Sequence, residues 1–265
     1  MTSLVRYDVD GQIATITLDS PANRNALSRA LVAELTSSLT RAGQDADVRA
    51  VVLTHTGNVF CSGADLSEAG QPAAGEAGPP GSQAGQAGAT AAMMAVMTTI
   101  AELAKPVIAK VGGHVRAGGM GIVGACDIAV ATEAATFAFT EARIGLAPAI
   151  ISVTTLDLMQ PRAAARYYLT GETFGGMVAA EIGLITMTAS PDTLDGVVAE
   201  LAGQICQTSP QGSAETKRLL TGPRRERMAA QAAGLTALSA RLFASAEAQE
   251  GIHAFLERRP PAWRQ

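Results

Sequence analysis

Val111-Gly112-Gly113-His114-Val115-Arg116-Ala117-Gly118-Gly119-Met120-Gly121 is the stretch that decides how this chain folds. It continues an apolar run, Val107 to Val111, that reads as a buried strand, and it crowds glycines where a backbone must approach something closely. A second segment has the same build: Val59-Phe60-Cys61-Ser62-Gly63-Ala64-Asp65-Leu66. Each follows a strand and opens toward a helix. An amide at such a turn is aimed by the strand and backed by the helix dipole, so two converging amides can hold negative charge developing on a carbonyl oxygen. One glycine turn alone reads as a tight turn, whereas the pair points to enolate chemistry.

Outward from these segments, Val5, Tyr7 and Val9 alternate with polar residues, Asp10-Gly11 supplies a turn, and Ala14, Ile16 and Leu18 alternate against Thr15 and Thr17, which predicts a hairpin. Ser28 is placed to cap a helix whose Leu31, Leu35 and Leu39 recur on one face. Strands are expected at Ala50 to Thr54, Asp127 to Ala131 and Thr136 to Thr140. Helical patterns dominate from Ser152 onward, with stops near Pro161, Gly171 and Pro191. Residues 69–90 are Gly, Ala, Pro, Gln and Ser with no apolar period and read as a mobile loop. Met93, Met94, Met97 and Ile100 form a stripe that reads first as adaptable core and, beside such a loop, second as the wall of a channel. The pattern is that of an α/β domain with a helical tail, in which short strand-strand-helix units recur without a repeat of fixed period.

With 265 residues and 48% apolar content the chain can bury a full core as one domain. The opening residues carry Arg6, Asp8, Asp10 and Asp19 and so resemble neither a secretory leader nor an anchor. The most apolar region, Met93 to Val111, is broken by Glu102, Lys105, Pro106 and Lys110, so no membrane partner is expected. Cys61, Cys126 and Cys206 form no even framework, and His55, His114 and His253 have no metal-ligand spacing; only His114, in the glycine loop, is placed to approach a ligand. A cytoplasmic location and no metal are the expectations. A formal charge of −4 argues against nucleic acid as a partner.

The order Pro21-Ala22-Asn23-Arg24-Asn25-Ala26-Leu27-Ser28, Val51-Val52-Leu53-Thr54, Phe60-Cys61-Ser62-Gly63-Ala64-Asp65-Leu66, Lys105-Pro106-Val107-Ile108-Ala109, Gly118-Gly119 and Ala125-Cys126-Asp127 resembles the enoyl-CoA hydratase/isomerase, or crotonase, family. The closing run Glu250-Gly251-Ile252-His253-Ala254-Phe255-Leu256-Glu257-Arg258-Arg259-Pro260-Pro261-Ala262-Trp263 resembles the family's C-terminal motif, so the likeness runs end to end. It implies an α/β fold of the ClpP/crotonase type: a spiral of strand-strand-helix units over residues 1–200, then a helical region, 201–265, for trimerisation. Homotrimers or dimers of trimers follow, with an acyl-CoA thioester as substrate. Coenzyme A is then part of the substrate and no separate cofactor is implied.

Carried over residue by residue, the resemblance makes Ala64 and Gly118 the oxyanion-hole amides. Arg24, Ala26, Ser62, Asp65 and Leu66 become coenzyme A contacts, and Phe255 and Arg258 contacts made from an adjacent subunit. A hydratase of this family has one Glu three residues after the oxyanion glycine and a second twenty residues further on. Here the first position is Gly121 and the second Glu141, so Glu141 is the acid/base candidate. Gly121 then means altered chemistry, a replacement group, or a water held another way. The motifs around Gly118 and Thr140-Glu141 are similar to those of bacterial methylglutaconyl-CoA hydratases, which implies a short branched enoyl thioester with a distal carboxylate, as in leucine breakdown. Arg116 and Arg143 are candidate donors to that carboxylate. Hydration of a 2-enoyl-CoA is the leading expectation. An enoyl-CoA isomerase is the first alternative, and a non-catalytic acyl-CoA-binding or RNA-associated relative is one of another class.

Overall fold

The structure, a computed structural model, describes residues 3–68 and 83–264. The chain opens with β1 (Val5–Asp10) and β2 (Ile13–Leu18), an antiparallel hairpin in which Gly11 takes the left-handed conformation at the turn. Helix α1 (Arg29–Gln44) follows. Ser28 caps it, its side chain accepting from Leu31 N at 3.2 Å, and Leu31, Leu35 and Leu39 are fully buried, as their spacing predicts.

Three strand-strand-helix units come next. They are β3 (Ala50–His55), β4 (Val59–Cys61) and α2 (Gln83–Glu102); then β5 (Val107–Val111), β6 (His114–Arg116) and α3 (Gly118–Ala125); then β7 (Ile128–Thr132), β8 (Thr136–Ala138) and the short helix α4 (Ser152–Thr155). The first strand of each unit enters one sheet and the second enters another, so the path spirals. Up to this point five strands of a six-stranded sheet run β1-β2-β3-β5-β7 and three strands of a four-stranded sheet run β4-β6-β8, all parallel beyond the hairpin. Residues between the sheets and the helices form the larger of two apolar clusters.

The chain continues through α5 (Pro161–Thr170), β9 (Phe174–Gly175), α6 (Gly176–Glu181), β10 (Met187–Ala189), α7 (Leu194–Cys206), α8 (Pro210–Phe243) and α9 (Ala246–Leu256). Strands β9 and β10 close the outer ends of the two sheets. They interrupt what reads in sequence as an all-helical stretch, because two- and three-residue strands carry no period to detect. Two further expectations change. Of the loop expected over 69–90, residues 69–82 lie outside the described residues and 83–90 are the start of α2; alanine favours helix strongly, and its small side chain leaves no apolar stripe to read. The division at residue 200 falls inside α7, which packs on β3, β5, β7 and β10 and belongs to the core, so the helical region begins at α8.

Helix α8 is latched to the core by Lys217, only 4% exposed. Its Nζ donates to Asp127 Oδ2 at 2.7 Å and to the carbonyls of Ile100 and Lys105 at 2.8 and 3.1 Å. Asp127 Oδ2 also accepts from Val107 N at 2.7 Å, the structural acceptor role its place before a strand suggests.

Candidate active site

The two glycine turns meet. Gly63 has φ +96°, and a Cβ added there would stand 2.8 Å from Ala117 Cβ and 3.7 Å from Gly118 N. Ala117 itself has φ +46°, a conformation costing an L-residue about 1–3 kcal/mol. The residue before each expected oxyanion donor is thus held in the left-handed half of backbone space, against the other turn, and the missing Cβ of Gly63 is what lets them touch.

This geometry leaves two amides free. Leu27 N donates to Gly63 O at 2.8 Å and Asp65 N donates to Leu27 O at 3.4 Å, so the parallel bridge passes on either side of Ala64 and does not use its N–H. Gly118 is the first residue of α3, where an amide has no intrahelical acceptor. Both residues line one cavity of about 750 Å³.

The same cavity gathers Arg24, Ala26, Ser62, Asp65 and Leu66. Asn25, buried and with φ +51°, builds that side: its Nδ2 donates to Thr56 O and Val59 O at 3.1 and 2.8 Å, and its Oδ1 accepts from Ser20 N at 2.7 Å. Beside this clamp Arg24, at φ +58°, lines the cavity, is exposed and makes no ion pair among the described residues. Asn25 stands in the quoted motif, but sequence reading gave it no role; an Asn flanked by coenzyme A candidates is the signal that could have found it.

Phe255 lines the cavity too and is 59% exposed. Here it comes from the cavity's own chain. Arg258, in the turn after α9 with φ +56°, is not brought to the cavity wall. Helix α9 instead packs on the 3₁₀ turn Glu141–Ile144 and the residue after it, where a Cβ on Gly145 would lie 2.6 Å from the Glu247 carbonyl carbon.

Glu141 starts that turn, at the end of the loop from β8. Its Oε2 is buried without a hydrogen-bond partner, and burial pushes its carboxyl up from an ordinary 4.5 to about 7. A group that titrates near neutrality can both take and give a proton.

The Gly121 position is closed. A Cβ there would meet Ile151 Cγ2 at 2.6 Å and Met97 Sδ at 2.7 Å, so hydrocarbon and thioether fill the space a first glutamate would need. Thr154 Oγ1 lies 3.0 Å from Gly121 O and 3.1 Å from Ile151 O, and Thr155 Oγ1 donates to Ile151 O at 2.7 Å, which fixes this packing. Of the methionine stripe, Met94, Met97 and Ile100 are core while Met93 faces the cavity.

Arg116 and Arg143 both line the cavity, but Arg116 is committed. Its Nη1 donates to Val115 O and Thr136 O at 2.9 and 2.7 Å, and its Nη2 to Thr136 Oγ1 at 2.8 Å. Arg143 spends only Nε, on Thr170 O at 3.1 Å. His114, in β6, has its Nδ1 2.9 Å from Thr136 Oγ1 and does not line the cavity. Among the described residues no group of three His, Cys, Asp or Glu could hold a metal, and no helix is long and apolar enough to cross a membrane.

Two free amides and a carboxylate with a buried, unpartnered oxygen line one cleft, the parts that stabilising an enolate would need. A solved structure of an enoyl-CoA hydratase from Mycobacterium avium is 49% identical, covers 99% of this chain and 100% of its own, and superposes with a TM-score of 0.87. Enoyl-CoA hydratase EchA19 of Mycobacterium tuberculosis is 32% identical over 95% of this chain and 92% of its own length. Hydroxycinnamoyl-CoA hydratase-lyase of Pseudomonas fluorescens is 32% identical over 78% and 74%. The enoyl-CoA hydratase/isomerase family model matches residues 8–265, and the chain belongs to that family of enzymes.

Proposed function

We propose that this protein is a hydro-lyase that adds water across the double bond of a 2-enoyl-CoA. The thioester oxygen sits between the amides of Ala64 and Gly118, which are oriented before substrate arrives and so stabilise the enolate without reorganising. Glu141, as carboxylate, takes a proton from the water that attacks the β-carbon, and the resulting acid returns it to the α-carbon. The observation that carries this reading is the buried, unpartnered Glu141 Oε2 in the cavity that holds both free amides. Arg24, Ala26, Ser62, Asp65, Leu66 and Phe255 would bind coenzyme A, which is part of the substrate.

A short branched acyl group with a distal carboxylate, as in 3-methylglutaconyl-CoA, is the proposed substrate class; Arg143, with its terminal nitrogens uncommitted, is the arginine available to it. Assembly as a homotrimer or dimer of trimers is proposed on Leu219 and Leu220, which stand 80% and 76% exposed on α8, and sedimentation velocity tests it.

The filled space at Gly121 favours a second reading, an isomerase in which one carboxylate removes a proton and returns it at another carbon. Incubation of 3-methylglutaconyl-CoA and crotonyl-CoA in ¹⁸O-labelled water and, separately, in deuterium oxide distinguishes them by mass spectrometry. Incorporated ¹⁸O is expected. Deuterium exchange without oxygen uptake makes the protein an isomerase, and neither label in either thioester removes the catalytic reading.

A further inference from the structure

The cavity contains a second polar feature that the chemistry above does not use. Thr90, on α2, and Ser239, on α8, both line it and are 7% and 8% exposed. Their hydroxyl oxygens stand 3.4 Å apart, the one hydrogen bond described for either side chain. That separation is well beyond the usual 2.7–2.8 Å for a good O–H···O bond, so each hydroxyl is buried with most of its bonding capacity unused. Buried hydroxyls left in this condition cost stability, and two of them facing one cleft from two different helices call for an oxygen between or beside them.

Their position sets what that oxygen belongs to. Met93 packs toward the oxyanion turn, its Cε 3.9 Å from where a Cβ on Gly118 would stand. Thr90 precedes Met93 by three residues on the same helix, so it shares that face about 4.5 Å further along the axis. The hydroxyl pair therefore lies roughly a helical turn from the thioester site, the reach of a short acyl chain. Arg24, Arg143 and Arg264, none of them in an ion pair among the described residues, line the same cavity against the carboxylates Asp65 and Glu141, so an anionic group is not repelled there.

We propose that Thr90 and Ser239 form a specificity subsite that holds an oxygen substituent, a hydroxyl or a carboxylate, at the far end of a short acyl chain. The proposal rests on the reading that an acyl-CoA thioester occupies this cavity, and it adds two hydroxyl donors for a distal polar group to the uncommitted terminal nitrogens of Arg143. Each hydroxyl can donate to the incoming oxygen, and a substituent hydroxyl can in turn donate to one of them. A chain ending in a methyl group leaves both unsatisfied and is discriminated against for that reason.

Calorimetric titration of the full-length protein with glutaryl-CoA, 5-hydroxypentanoyl-CoA and pentanoyl-CoA tests this without requiring turnover. The parent protein should prefer glutaryl-CoA over pentanoyl-CoA, and the double variant Thr90→Val/Ser239→Ala should reduce that preference by about 10–100-fold. The hydroxyl ligand's preference should fall by about 3–10-fold, and comparing the two drops tells which oxygen the subsite favours. Thr90→Ser keeps the hydroxyl and should retain the parent's preference, which separates hydrogen bonding from loss of helix packing. Equal affinities for the three ligands in the parent, or a preference unchanged in the double variant, overturn the subsite while leaving the acyl-CoA reading intact. No binding of any of the three overturns both.

Discussion

Asp127 and Glu141 bracket the two strands of the third unit, Asp127 just ahead of β7 and Glu141 just beyond β8, and the fold treats their carboxylates in opposite ways. Asp127 is met by the Lys217 ammonium and the Val107 amide, both at 2.7 Å. Glu141 has a buried oxygen that meets nothing. A saturated carboxylate fixes structure, because every bond it makes would have to be broken to move it. An unsatisfied one is held at an energetic disadvantage that a substrate or a proton relieves, which is the condition of a working acid/base. The difference teaches where to look for chemistry: at a buried carboxylate that keeps one oxygen unsatisfied.

Replacing each carboxylate's environment in turn puts that comparison at risk. Glu141→Gln should lower kcat by about 10²–10⁴-fold, and the parent's kcat/KM should rise with pH through a limb near 7 that the variant lacks. Because the folded carboxyl titrates above its unfolded value, it costs no stability below about 4.5, and the cost grows as pH rises to about 7. The variant should therefore melt no lower than the parent at about pH 8, and a clearly lower melting temperature there would mean Glu141 is structural after all. Lys217→Met strands Asp127 and should destabilise by about 3–5 kcal/mol in denaturant unfolding. Its surviving folded fraction should keep the pH limb of the parent, and a displaced limb would join the two carboxylates in one function. Gly63→Ala places a methyl against Ala117 in a strained backbone and should cost about 10²–10³ in kcat by turning away the Ala64 amide. The smallest effect is expected at Gly121→Ala, about 1–3 kcal/mol of overpacking against Ile151 and Met97. Adding Ile151→Ala should recover part of that loss, and strict additivity of the two changes would show that they do not share the space.

Much of this fold was legible because its signals are local. The Leu31, Leu35 and Leu39 stripe, the alternation through Val5 to Leu18 and the apolar run at Val107 to Val111 each report a face or a strand by period alone. The start of α2 was hidden for the converse reason: alanines and glycines bury surface without marking a stripe, and the packing of α2 along α8 is a long-range contact. At the site, the glycine turns announced backbone amides, and the spacing of the family motif led to Glu141. What sequence could not give was the state of each group. That Gly121 is filled rather than merely short of a carboxylate depends on Ile151, distant in the chain. That Arg116 is committed depends on Thr136 across a strand pair. Asn25 was passed over because its three bonds reach backbone groups scattered over two segments.

Helix α9 lies against the turn that carries Glu141, close enough at Gly145 that no side chain fits between them. The contact is backbone against backbone, Glu247 and Ala248 on Gly145 and Ile144 on Gly251, so the turn cannot shift without moving the helix, and α9 serves as a splint for the loop that carries Glu141.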